Sequence, residues 1–169
     1  MNSTIIMTIF IKDIVGHAGN KVTLKGWVNN VRSSGKISFV ELRDGTGFIQ
    51  AIIEKKSLAD ENIWESAEKL TLESVVSLEG IVAEHPKKKG EFELHVLGLK
   101  VYQISPEYPI GKKEHGPDFL LDSRHLWIRS KRQWAILRIR AAIYEYIETY
   151  LRSQSFVRFD SPILTPAAC

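Results

Sequence analysis

A mostly-β domain followed by a helix-led second domain is what this 169-residue chain predicts, on three observations. Apolar residues alternate in five short runs within about the first 100 residues, the period of half-buried strands. A single run with helical spacing lies between the third and fourth of them. A stretch punctuated by Pro106, Pro109, Gly111, Gly116 and Pro117 then precedes a long amphipathic segment. The order of three strands, one helix and two strands is that of an OB-fold barrel. A small β sandwich has a similar strand count, but the lone helix after the third strand favours the barrel.

Taken in order, Met1 to Ile11 reads as a short extension and a first strand, because Lys12 and Asp13 end the apolar run too early for a membrane span. Val22, Leu24, Gly26 and Val28 mark one strand, ending near Arg32, and residues 37–43 the next. Asp44-Gly45 is a hairpin signal, with a further strand over residues 48–54. Residues 62–70 predict a helix with Ile63, Ala67 and Leu70 on one side. Residues 74–83 and 91–101 complete the strands, the last with Phe92, Leu94 and Val96 on one face and Glu93 and His95 on the other. Lys87-Lys88-Lys89-Gly90 is a basic hairpin tip, read as a solvated turn in preference to a phosphate contact.

Residues 1–104 are thus expected to form the barrel domain, 105–122 a hinge and 123–169 the start of a second domain. Ser130 opens the long helix with the Ser–x–x–Gln pattern of a capping box, completed by Gln133. Ile136, Ile139, Ile143, Ile147 and Tyr150 recur at spacings of three and four as one apolar stripe. A short apolar strand carrying Pro162 is expected after it.

The composition, 44% hydrophobic and 25% charged, supports a real core. A net charge of +3 permits a nucleic-acid partner without demanding one. One cysteine excludes an internal disulfide and suits a reducing compartment, so a cytoplasmic location is expected, without a membrane partner. No metal-ligand cluster and no catalytic constellation stands out.

Four residues suggest RNA recognition. Phe39 shares its strand face with Glu41 and Arg43, whereas Val40 and Leu42 suit the interior; a ring on a polar strand face can stack on a base. Arg32 ends the preceding strand, Gln50 is an amide in an apolar strand and needs a partner, and Glu93 faces away from Phe92 and Leu94. Such groups beside an aromatic can read the edges of splayed bases. Taken singly, each also fits an ordinary surface residue.

The runs Gly26-Trp-Val-Asn-Asn-Val-Arg32 and Phe39-Val-Glu-Leu-Arg-Asp-Gly-Thr-Gly-Phe-Ile-Gln50 resemble the anticodon-binding domain of the aspartyl, asparaginyl and lysyl class II aminoacyl-tRNA synthetases. The resemblance continues through Glu107-Tyr-Pro-Ile-Gly-Lys-Lys-Glu-His-Gly-Pro-Asp118. Residues 130–166, ending in Ser155-Phe-Val-Arg-Phe-Asp-Ser-Pro-Ile-Leu-Thr-Pro166, resemble motif 1, the first helix and strand of the α+β catalytic domain. Arg124-His-Leu-Trp-Ile-Arg129, with Trp127 where aspartyl and lysyl members usually carry Asp, and Pro162-Ile-Leu-Thr-Pro-Ala-Ala-Cys169 resemble the asparaginyl branch.

The resemblance implies that Phe39 stacks on the central anticodon base and that Arg32, Gln50 and Glu93 hydrogen-bond the anticodon. It also implies a homodimer through motif 1, with Ile136, Ile139, Ile143, Ile147 and Pro162 at the interface. The parent reaction joins asparagine to its tRNA with ATP and Mg²⁺. The sequence holds neither motif 2 nor motif 3, so the chain is expected to be an N-terminal part that binds no ATP or metal and catalyses nothing by itself. A stand-alone OB-fold RNA-binding module and an aspartyl-type ligase are the rival readings. The family usually has Gly at the position of Ser155, where a helix ends in a left-handed turn.

Overall fold

The computed structural model describes residues 7–58, 60–111 and 113–163. The chain divides into two compact units, Met1–Pro109 and Ile110–Cys169.

The first unit is built on six strands: β1 (Met7–Thr8), β2 (Lys21–Ser34), β3 (Ile37–Arg43), β4 (Phe48–Glu54), β5 (Val75–Glu84) and β6 (Phe92–Gln103). The sheet runs β1-β2-β3-β4-β6-β5, and a further β2–β5 pairing closes five of these strands into a barrel. The expected first strand shrinks to Met7–Thr8, paired in parallel with β2, and Ile11–His17 is a 3-10 helix that buries Ile11 and Ile14. Residues 1–6 of the expected extension lie outside the described residues.

Barrel closure depends on one long strand serving two partners. The first half of β2 pairs with β5 and the second half with β3, with an irregularity between Val28 and Asn30. Gly26 lies where the partners change, and a Cβ there would overlap the Arg43 carbonyl. Such a close backbone approach leaves room only for glycine. β2 also runs past Arg32 to Ser34, because Ser33 and Ser34 continue the ladder with Ser38 and Ile37.

Alternation sorts the side chains as period two dictates: Val40 and Leu42 are fully buried, while Phe39 and Glu41 face outward. Leu24, Ile53, Leu78 and Leu94 meet them in the core. The helix between the third and fourth barrel strands is α1 (Glu61–Glu68), capped at its N-terminus by Asp60, whose carboxylate accepts from the Asn62 amide. Trp64, rather than the expected Ile63, joins Ala67 and Leu70 in the core. The Asp44-Gly45 hairpin forms with Gly45 at φ 88°. The Asp44 carboxylate accepts from the Thr46 and Gly47 amides and, across the chain, from the Ile11 amide at 2.7 Å, so the turn also fastens the 3-10 helix.

The second unit is helical: α2 (Pro117–Asp122), α3 (Arg124–Trp127) and α4 (Lys131–Ser153). α2 falls within the stretch expected as a hinge, and it begins on a proline, which tolerates a first helical turn. The Ser130 hydroxyl caps α4 by accepting from the Gln133 amide at 3.4 Å. The helix ends in a Schellman motif: the Phe156 amide donates to the Leu151 carbonyl and the Ser155 amide to that of Arg152, with Ser155 left-handed at φ 67°. The strand expected after it is not formed among the described residues, because residues 156–163 meet no strand to pair with. Residues 164–169 of that expectation lie outside the described residues.

Candidate nucleic-acid interface

The outer face of the barrel carries two adjacent rows of side chains, set by strand register. One row runs Arg32 on β2, Phe39 on β3, Ile52 on β4, His95 on β6 and Ile81 on β5. The next runs Asn30, Glu41, Gln50, Glu93 and Ala83 over the same strands. The four residues singled out in the sequence therefore come together on one face, drawn from four different strands.

Their contacts are specific. The Arg32 guanidinium lies over the Phe39 ring, 5.3 Å from its centroid, and its Nη2 donates to Gln50 Oε1 at 3.2 Å. The arginine thus bridges the rows, covers part of the aromatic platform and supplies the partner that the Gln50 amide needs. Its donation to Oε1 leaves the Gln50 amide N–H groups for a ligand.

Glu93 departs from the sequence expectation of a solvated outer residue: it is only 4% exposed. Its Oε1 lies 3.0 Å from Nε2 of His95, whose own side chain is 43% exposed. Next to Gln50, Glu41 accepts from Asn29 Nδ2 at 2.5 Å, at the irregularity in β2. An aromatic platform flanked by a cation, an amide and carboxylates offers a stacking surface plus both donors and acceptors, the means by which unpaired bases are recognised.

Sequence reasoning set Glu41 on the face of Phe39 and His95 on that of Glu93, but singled out neither as a site residue. Both share a face with a chosen residue by simple alternation, which was the signal available. Lys87 and Lys89 are exposed on the β5–β6 connection, and Lys88 pairs with Glu91 at 3.0 Å. In the second unit Ile136, Ile139, Ile143, Ile147 and Pro162 are all exposed.

Residues 22–102 match the OB-fold nucleic acid binding domain family, and residues 116–169 match the tRNA synthetases class II (D, K and N). The chain is 47% identical over 165 residues to asparagine–tRNA ligase of Roseiflexus castenholzii, an alignment covering 98% of this chain and 37% of the relative. It is 48% identical over 159 residues to asparagine–tRNA ligase of Desulforamulus reducens, covering 94% and 37%. The chain thus resembles an OB-fold nucleic acid binding domain followed by a class II tRNA synthetase region, and these two relatives are asparagine–tRNA ligases. Its fold agrees with asparaginyl-tRNA synthetase of Pyrococcus horikoshii, solved with asparaginyl-adenylate, at a TM-score of 0.83 and 34% identity, over 95% of this chain and 37% of that one. The chain spans a little over a third of the length of these curated relatives.

Proposed function

We propose that the barrel binds the anticodon stem-loop of a tRNA, as the recognition arm of an enzyme that joins asparagine to that tRNA with ATP and Mg²⁺. One observation carries the reading: Arg32, Phe39, Gln50 and Glu93 occupy neighbouring positions in two rows of one barrel face. In this reading Phe39 stacks on a base, Arg32 and Gln50 offer donors to its edge, and Glu93 accepts from base N–H groups. No step of the ATP chemistry is assigned to residues of this chain. A titration of the full chain with an anticodon stem-loop tests the reading. Phe39→Ala weakens binding by roughly 1–3 kcal/mol if the ring stacks on a base. Unchanged affinity removes that role.

The exposed isoleucine stripe of α4 supports a second element of the proposal, a homodimer formed through that helix and the segment bearing Pro162. A cytoplasmic location is proposed with it, since a single cysteine suits a reducing compartment. No described helix is long and apolar enough to cross a membrane.

A further inference from the structure

We propose that His95 is a positioning residue for base recognition: it holds one oxygen of the Glu93 carboxylate so that the other is presented to a base. The inference rests on reading this barrel face as an anticodon site, and it adds a residue which that reading did not contain.

The chemistry of the pair sets the direction of the hydrogen bond. An ionised carboxylate only accepts, so the nitrogen 3.0 Å from Glu93 Oε1, His95 Nε2, is the one carrying the proton. The Glu93 side chain makes no other hydrogen bond among the described residues. Its second oxygen is therefore left without a donor on a side chain only 5% exposed. That oxygen is not sealed from solvent, since Arg43 Nε alone is both buried and partnerless among the described side chains, so it stays open to a donor brought by a ligand. The N–H groups of bases are donors of the right kind: the guanine and uracil imino groups and the exocyclic amines of guanine, adenine and cytosine. The register places Gln50 directly beside Glu93 on the neighbouring strand, so a base edge meeting one meets the other.

His95 is itself well held. Its backbone lies between Ile52 of β4 and Ile81 of β5. β5 approaches so closely that a Cβ on Gly80 would overlap the His95 carbonyl. The imidazole thus stands on fixed backbone. By holding Oε1 it removes rotamer freedom from Glu93 before a base arrives, which lessens the ordering cost of binding.

The test uses the full chain, a cognate anticodon stem-loop and three loops altered at single anticodon positions. Glu93→Gln should change preference at one anticodon position. His95→Ala should reduce discrimination at that same position by about fivefold, the worth of one net hydrogen bond. His95→Gln, whose amide N–H can replace Nε2–H, should recover most of it. In a Glu93→Gln background, His95→Ala should add nothing further. Far-UV circular dichroism confirms folding of each variant, and His95→Gln against His95→Leu decides the matter if His95→Ala is unfolded. Normal discrimination by the His95 variants, or an equal loss on every loop, overturns the inference while Glu93→Gln still marks the reader. If Glu93→Gln leaves all preferences unchanged, the reading of Glu93 falls and His95 falls with it.

Discussion

In the barrel, alternate side chains of five strands converge on one another, and Leu24, Leu42, Ile53, Leu78 and Leu94 lie wholly out of solvent. In α4 the apolar stripe is just as regular, yet Ile139 is 61% and Ile143 53% exposed, and no α4 residue is buried. Among the described residues, every buried apolar side chain lies between Ile9 and Val96. The contrast teaches that amphipathic pattern and burial are separate properties. A closed sheet supplies its own second wall, because β2 returns to β5. A single helix has one apolar side and nothing of its own to put against it, so its burial depends on a partner.

The largest expected effect breaks the barrel side of this contrast. Leu42→Ala should lower barrel stability by about 2–5 kcal/mol, through lost transfer energy and an unfilled cavity. Ile143→Ala should leave the same denaturant transition within about 0.5 kcal/mol, as an exposed substitution does. A large loss from Ile143→Ala would show that α4 is part of the barrel's folding unit.

The next tests the helix side. Ile139→Glu combined with Ile143→Glu should weaken self-association at least about tenfold, since a two-fold interface meets each new charge twice. Sedimentation at micromolar concentration measures it. A parent chain that is already a well-behaved monomer removes the dimer proposal.

A smaller effect is expected where α4 ends. Ser155 holds a left-handed φ of 67°, a region that only glycine enters without steric cost. Ser155→Gly should therefore raise the thermal midpoint of the helical signal, by a gain of about 1 kcal/mol. A lower midpoint would show that the Ser155 side chain has a compensating contact.

The smallest concerns pH. A side-chain hydrogen bond from Arg152, and then its charge, hold the Glu148 carboxyl below its ordinary value of 4.5. A depressed carboxyl adds stability that is present above 4.5 and is lost as pH falls through the lower folded value. Helical signal at the α4 C-terminus should weaken over that acid window in the parent chain and not in Glu148→Gln. Identical acid profiles would show that the pair contributes nothing.

The left-handed turn at Ser155 was expected only through the resemblance, from the family's usual glycine there, whereas strand faces, the Asp44-Gly45 hairpin and the Ser130 cap were legible in the residues themselves. Each depends on residues within a few positions of one another, through period-two geometry, turn chemistry or helix-end hydrogen bonding. The same reasoning overreached after α4, where apolar content suggested a strand. A strand exists only through hydrogen bonds to another strand, and residues 156–163 find none among the described residues.

What tertiary structure alone decided lies between elements distant in sequence. The pairing of β4 with β6 sets Gln50 beside Glu93, and Arg32 reaches over β3 to Gln50. Alternation placed Glu93 and His95 on one face, but it carried no information about how much water remains there. The barrel's curvature and its neighbouring strands withdraw the carboxylate while leaving the imidazole half-exposed. Local pattern determined which way each side chain points because it follows from backbone geometry. The company each side chain keeps depends on long-range register, and register is settled only when the whole sheet closes.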